Sequence, residues 1–81
     1  MTFKELKKKY KGYDIIAFGV PLKEMYYCTP FTRLPRDKKL EDCEVVEYKV
    51  EEKERIQHGW HFATMEHYTT KVKGDVYCYV R

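Results

Sequence analysis

The strongest constraint on the fold is a stretch in which apolar and polar side chains alternate, residues 43–50. Val46, Tyr48 and Val50 would point to one side of an extended strand. The side chains of the opposite side are Val45, Glu47, Lys49 and Glu51. A repeat of two residues is typical of a strand with one buried face. We therefore expect a long central or near-central strand of an antiparallel sheet, although the stretch itself carries no chemistry.

The length of the chain predicts one domain, residues 1–81, with a small core. A chain of this size buries only about 60–65% of the surface that it exposes when unfolded. Hydrophobic residues make up 43% of the sequence and aromatic residues 16%, which is enough apolar surface for folding without further help. Eight residues are tyrosines, whose rings suit a half-buried sheet face or a partner surface.

The residue types that the chain lacks exclude several functions. It contains neither serine nor asparagine, which rules out a serine nucleophile and an N-glycosylation acceptor. Its three cysteines, Cys28, Cys43 and Cys78, have no close spacing, so neither a disulfide framework nor a zinc knuckle is predicted. The sequence shows no apolar leader and no run of about 18 apolar residues. We expect reduced thiols, a cytoplasmic location, no membrane partner and no cofactor.

Charge is distributed unevenly along the chain. Residues 1–40 carry ten Lys or Arg against four Asp or Glu, a balance of +6. Residues 41–81 carry six against nine, a balance of −3, and the two balances give the net charge of +3. Two explanations stay open: a face that binds an anion, or attraction between the two halves within the fold.

The N-terminal residues carry the signals of a short helix. Thr2 and Glu5 have the spacing of a capping box, and Gly12 stands where a left-handed residue would end the helix. A helix of about ten residues is not stable alone in water, so we expect packing against the sheet to hold it. The apolar stripe that would dock on the sheet consists of Phe3, Leu6 and Tyr10.

The residues after the helix predict two strands and a long loop. Tyr13–Val20 is apolar on both faces, and we expect it to lie inside the sheet. A second strand, Met25–Thr29, would form a hairpin with it. Residues 30–42 contain two prolines and are predicted to be irregular. The side chains expected to pin this loop to the body are Phe31, Leu34 and Leu40.

From Cys43 onward the pattern predicts an antiparallel meander. The charges of residues 51–54 would carry its first strand beyond the core as an exposed arm. The elements predicted to follow are a turn at 57–59, a returning strand at 60–72, a tight turn at 73–74 and a last strand at 75–81. The predicted fold class is α+β, with one N-terminal helix packed on a mostly antiparallel sheet of four or five strands.

Two sets of side chains are candidates for binding, namely cations of the long loop and tyrosines on one face of the last strand. Cations beside aromatic rings are typical of surfaces that bind single-stranded nucleic acid. The acidic stretch from Glu41 to Glu54 opposes this function because it would repel phosphates. Alternatively, the loop is a solvated connection and the tyrosines pack under a helix or against a partner. The candidate residues are Arg33, Arg36, Lys38, Lys39, Tyr77 and Tyr79.

Catalytic and metal-binding arrangements have weaker support. Histidine is a common metal ligand, but His61 and His67 would lie about 20 Å apart on one strand, and His58 stands in a predicted turn. A cysteine-dependent enzyme, with Cys78 or Cys43 beside His67, is a third hypothesis for the function. The four glycines are isolated and form no phosphate-binding loop. We therefore expect no metal site, no catalytic residue and no enzymatic activity.

The opening residues, Met1–Tyr10, and residues 40–54 resemble the small accessory proteins of phages and integrated elements in low-GC bacteria. That group includes anti-CRISPR and other anti-defence inhibitors. The resemblance implies a protein that works by binding. The net charge of +3 adds one restriction, because an inhibitor that imitates DNA is normally strongly acidic.

The leading functional hypothesis is therefore a non-enzymatic binding protein of a phage or mobile element that blocks a host protein of a defence system. Its partner would be a host protein or nucleoprotein. The alternative is an anion-binding module that takes nucleic acid or a nucleotide signal on the basic loop. Pairing of the 43–54 strand with its twin across a two-fold axis would give a homodimer.

Overall fold

A computed structural model describes residues 1–31 and 33–81 of the chain. Its regular elements are one helix, α1 (Phe3–Lys9), and three strands, β1 (Asp14–Phe18), β2 (Val45–His61) and β3 (Glu66–Val80). Two short 3-10 helical segments, Leu22–Tyr27 and Leu40–Asp42, lie in the connection between β1 and β2. β3 is the middle strand of the sheet, parallel to β1 and antiparallel to β2.

The predicted fold class is wrong in the number and direction of its strands. The sheet of the described residues has three strands in mixed directions, rather than four or five that are mostly antiparallel. The predicted strand Met25–Thr29 overlaps the first 3-10 segment, so no hairpin follows β1. The predicted strands 60–72 and 75–81 fall largely within the single strand β3, because the chain stays extended where a turn was expected.

β2 lies at one edge of the sheet, so the predicted central position of residues 43–50 is also wrong. A bulge at Val46 shifts the pairing of β2 with β3 by one residue. Val46 is therefore exposed instead of facing the core. The side chains that pack on the inner face are Val45, Tyr48 and Val50.

α1 begins at the predicted capping box. The Thr2 hydroxyl accepts a hydrogen bond from the Glu5 amide at 3.3 Å, and the Glu5 carboxylate accepts one from the Thr2 amide at 3.4 Å. Gly12 has a φ of +92°, which only glycine adopts without strain, where the chain leaves the helix. Burial of Leu6 alone contributes about 2 kcal/mol to stability. The α1 core consists of Phe3, Leu6, Ala17, Cys43, Val76, Cys78 and Val80.

A second, smaller core lies on the opposite face of the sheet. The segment Leu22–Tyr27 places Met25 against Phe18 and Val20. β1 is thus covered on both faces although it lies at the other edge of the sheet. This cover accounts for the apolar side chains on both faces of β1, whereas its predicted position inside the sheet is wrong.

The long loop runs along the free edge of β1 toward the α1 core. The Phe31 amide donates a hydrogen bond to the Ala17 carbonyl at 2.9 Å. Leu34 and Leu40 pack against the α1 core, as predicted. Phe31 contributes through its backbone instead, and its ring stays exposed.

Candidate binding surface

Beyond a second bulge, β2 and β3 leave the body of the protein as a two-stranded arm, residues 55–72. β1 accompanies β3 only along residues 75–79, and the pairing of β2 with β3 shifts after Glu52. From there the two strands pair with each other as far as His61. The radius of gyration is 14.1 Å, against about 12 Å for a compact chain of this length, because the arm extends outward. An exposed arm was predicted, but it begins at Arg55, after the charged residues 51–54 from which it was predicted.

The arm reverses at residues 62–65, so the turns predicted around Gly59 and Gly74 are wrong. Both glycines lie within strands. A Cβ atom at Gly59 would meet the ring of Tyr68, and one at Gly74 would overlap the backbone of Glu51. The missing side chain therefore serves close packing at both positions, rather than a turn.

Large apolar side chains stand exposed on the arm. Phe62 is 86% exposed, Met65 71% and Trp60 56%. Only Val72, at the base of the arm, is buried. Single exposed apolar side chains are common, but a group of them is typical of an interaction surface. The exposed set is Ile56, Trp60, Phe62, Met65 and Tyr68.

One face of the arm carries two imidazoles in contact. His58 Nδ1 and His67 Nε2 are 3.1 Å apart, close enough for one ring to donate a hydrogen bond to the other. The indole of Trp60 lies beside His67, with ring centroids 5.1 Å apart. The predicted separation of about 20 Å between His61 and His67 assumed a single strand. It does not hold, because the turn at 62–65 places these two residues on facing strands.

An ion-pair cluster joins the arm to the body. Arg55 Nη2 lies 2.7 Å from Asp75 Oδ1 and 3.1 Å from Asp14 Oδ2. Asp14 and Asp75 are neighbours across the parallel strands β1 and β3, and Asp75 is buried. The hydrogen bond to Asp75 raises the pKa of Arg55 further above its usual value. Sequence reasoning missed this cluster, because its members are brought together only by the pairing of all three strands.

The four predicted loop cations are exposed, and none of them forms an ion pair among the described residues. Arg33 adopts a φ of +58° near the edge of β1. The other three lie between Leu34 and Leu40, which both anchor on the α1 core. These three are Arg36, Lys38 and Lys39.

The two predicted tyrosines face away from the α1 core. Tyr77 packs beside the second core, and the Lys49 ammonium lies 5.7 Å from its ring centroid. Burial raises the pKa of Tyr77. Tyr79 lines an open groove with Leu22 of the 3-10 segment. The structure therefore places the tyrosines on one face of the sheet and the anchors of the basic loop on the other.

A tyrosine cluster that sequence reasoning missed joins α1 to β2. Tyr10 and Tyr48 make an edge-to-face contact with ring centroids 5.7 Å apart, and the Lys9 ammonium donates to the Tyr48 hydroxyl at 3.2 Å. Hydrogen bonds from Tyr10 and from Lys9 lower the pKa of Tyr48. The Tyr13 hydroxyl donates a hydrogen bond to the Glu52 carboxylate at 2.8 Å, and this bond raises the pKa of Tyr13. The hydroxyl groups of these three tyrosines are therefore hydrogen-bonded within the fold.

The thiols and the imidazoles lie in different parts of the molecule. Cys43 and Cys78 are completely buried in the α1 core, and burial raises the pKa of Cys78 to about 12. His67 lies on the exposed arm, 11 residues before Cys78 on β3, a distance of about 35 Å. The cysteine–histidine pair considered from the sequence is therefore not assembled in this structure.

Comparisons with known proteins find no match for this chain. No protein-family model matches it, and no curated protein or solved structure shows significant similarity. Among the described residues, no helix has both the length and the apolar character needed to cross a membrane. The surface of the molecule is therefore the guide to its function.

Proposed function

We propose that this protein is a non-enzymatic binding protein and that its arm is the element that contacts a partner protein. Following the resemblance to phage accessory proteins, the partner is a host protein, in the bacterial cytoplasm, that the binding blocks. The observation that carries the proposal is the exposed apolar set on an arm without a core of its own. Those side chains gain burial only when another molecule covers them.

The charge of the arm favours a protein over a nucleic acid as its partner. Residues 56–71 contain a single glutamate, Glu66, and a single lysine, Lys71. A surface that holds phosphates needs an excess of cations. Aromatic residues and methionine are instead enriched at the centres of protein interfaces, where Trp60, Phe62 and Met65 would stand.

The test is a comparison of two double variants in a capture experiment from a bacterial host lysate. Trp60→Ala/Phe62→Ala removes two exposed rings from the arm. The matched control Tyr26→Ala/Tyr27→Ala removes two rings that are 77% and 89% exposed on the body. We expect the arm variant to lose the partner and the control to retain it, with both keeping the wild-type melting temperature. Loss of the partner in the control alone would contradict the proposal.

A second candidate function is anion binding by the basic loop. The observation in its favour is that its four cations form no ion pairs among the described residues, so no carboxylate is in direct contact with them. The net charge of the loop is small, however, because residues 33–42 hold four cations and three carboxylates, which leaves +1. Any phosphate affinity should therefore be modest and fall steeply with salt.

Titration of a labelled single-stranded oligonucleotide tests this second candidate. Arg36→Glu should weaken binding and reduce its salt dependence. Lys23→Glu makes the same change of charge at an exposed cation outside the loop and should have little effect. Equal binding by wild type and Arg36→Glu would remove the candidate.

A further inference from the structure

We propose that His58 and His67 form a two-imidazole binding site for a divalent transition-metal ion such as Zn²⁺ or Ni²⁺. Neither residue belongs to the apolar set that carries the proposed function. Imidazole nitrogen is a preferred ligand for both ions. The site would join the two strands of the arm.

The spacing of the two nitrogens fits metal coordination. With zinc–nitrogen bonds of about 2.0–2.1 Å, two ligands of a tetrahedral ion stand about 3.3 Å apart. His58 Nδ1 and His67 Nε2 are 3.1 Å apart. The contact between the rings already brings both nitrogens together. An ion would take the place of the bridging proton, which would move to the other nitrogen of the donating ring, and the stacked rings would rotate to aim both lone pairs at the ion.

The backbone register holds the pair in place. His58 lies opposite Thr69, and His67 lies opposite Trp60, so the two histidines are diagonal neighbours on the same face of a two-stranded ribbon. The ring planes are within 10° of each other. Because the ribbon fixes both backbone positions, binding costs less conformational entropy than it would for two histidines on a flexible loop.

The site is open toward solvent. Both histidines are exposed, and no group of three or more potential ligands occurs among the described residues. Water would fill the remaining coordination positions of the ion, as at metal sites that keep exchangeable ligands. The third histidine of the arm, His61, contacts Tyr68 instead and lies on the opposite face. It therefore provides a matched control.

Fluorescence of the single tryptophan tests the site directly on the untagged protein. Trp60 lies beside His67, so Ni²⁺ bound there should quench its emission in a saturable way, and added Zn²⁺ should reverse the quenching. His58→Gln and His67→Gln should each need at least about tenfold more Ni²⁺ for half-quenching, because the chelate is lost. His61→Gln should titrate like wild type.

Two results would overturn the proposal. One is the absence of saturable quenching in wild type, and the other is quenching that is equally weakened by His61→Gln. Circular dichroism of each variant shows that the arm is still folded, so a loss of quenching can be assigned to the missing ligand. The titration needs only this chain and gives its answer whether or not the arm binds a partner protein.

Discussion

Cys78 is the residue whose ionisation is most strongly altered by the fold. Its burial raises the pKa to about 12, against 9.0 for an ordinary thiol. As the pH rises above 9, the unfolded chain releases this proton before the folded chain does. The contribution of Cys78 to stability is therefore complete below pH 9 and is lost between about pH 9 and 12.

Comparison with Cys78→Ala isolates this effect from the titration of tyrosines and lysines. We expect the free energy of unfolding of wild type to fall more than that of the variant between pH 8 and 10, by up to about 1 kcal/mol. Urea denaturation at several pH values measures the difference. Parallel pH profiles for the two proteins would show that the thiol is not protected by burial.

Gly74 is a strand position where a single added methyl group should be damaging. A Cβ atom there would overlap the carbonyl oxygen of Glu51 in the neighbouring strand, and backbone cannot move aside cheaply. Gly74→Ala should cost about 1–3 kcal/mol in urea denaturation. Gly59→Ala should cost less, because it meets only the ring of Tyr68, which can rotate. Equal losses would mean that the close approach at Gly74 is relieved by a small shift of β2.

At this scale, sequence reasoning failed where one pattern has two physical explanations. Glycine within a charged or polar stretch is typical of a turn, but it also marks close backbone approach within a strand. Gly59 and Gly74 belong to the second case. Similarly, the alternation of apolar and polar residues around Val46 predicts a regular strand. Nothing in the sequence marks the bulge that interrupts this strand.

Among the elements, the arm and the body meet at Arg55. Its guanidinium lies between the carboxylates of Asp14 and Asp75, and Asp75 is buried. Arg55→Met would leave two neighbouring carboxylates without a cation, so we expect the melting temperature to fall by about 5–10 °C in calorimetry. Lys53→Met removes an exposed cation near the same bulge and should change the melting temperature little.

The double variant Arg55→Met/Asp75→Asn refines this test. Replacing one carboxylate by a neutral amide removes the repulsion that the single variant creates, so part of the lost stability should return. If Arg55→Met instead melts at the wild-type temperature, the ion pairs do not hold the arm to the body.

Elements were predictable where their signals are local. α1 was found because Thr2 and Glu5 define its start within four residues. The parallel pairing of β1 with β3 was missed, because it depends on residues about 60 positions apart. The sequence of β1 does not indicate whether its neighbouring strand runs parallel or antiparallel to it. The apolar run Met25–Tyr27 favours a strand by composition, but in the structure Met25 turns inward from a 3-10 segment to fill the second core.

For the molecule as a whole, the sequence predicted that an arm exists but not what it carries. Trp60 was assigned to a returning strand of the main sheet, so its exposure could not be foreseen. The predicted binding residues remain candidates, although the structure separates Tyr77 and Tyr79 from the anchors of the basic loop. Which residues lie together depends on strand order, and composition does not determine strand order.

Amide hydrogen exchange of the protein, alone and bound to the partner captured from lysate, compares the arm and the basic loop in one measurement. If the arm is the contact element, amides of residues 55–72 exchange more slowly in the complex, and those of residues 33–39 are unchanged. Slower exchange confined to residues 33–39, with an arm that exchanges as fast as in the free protein, would contradict the account.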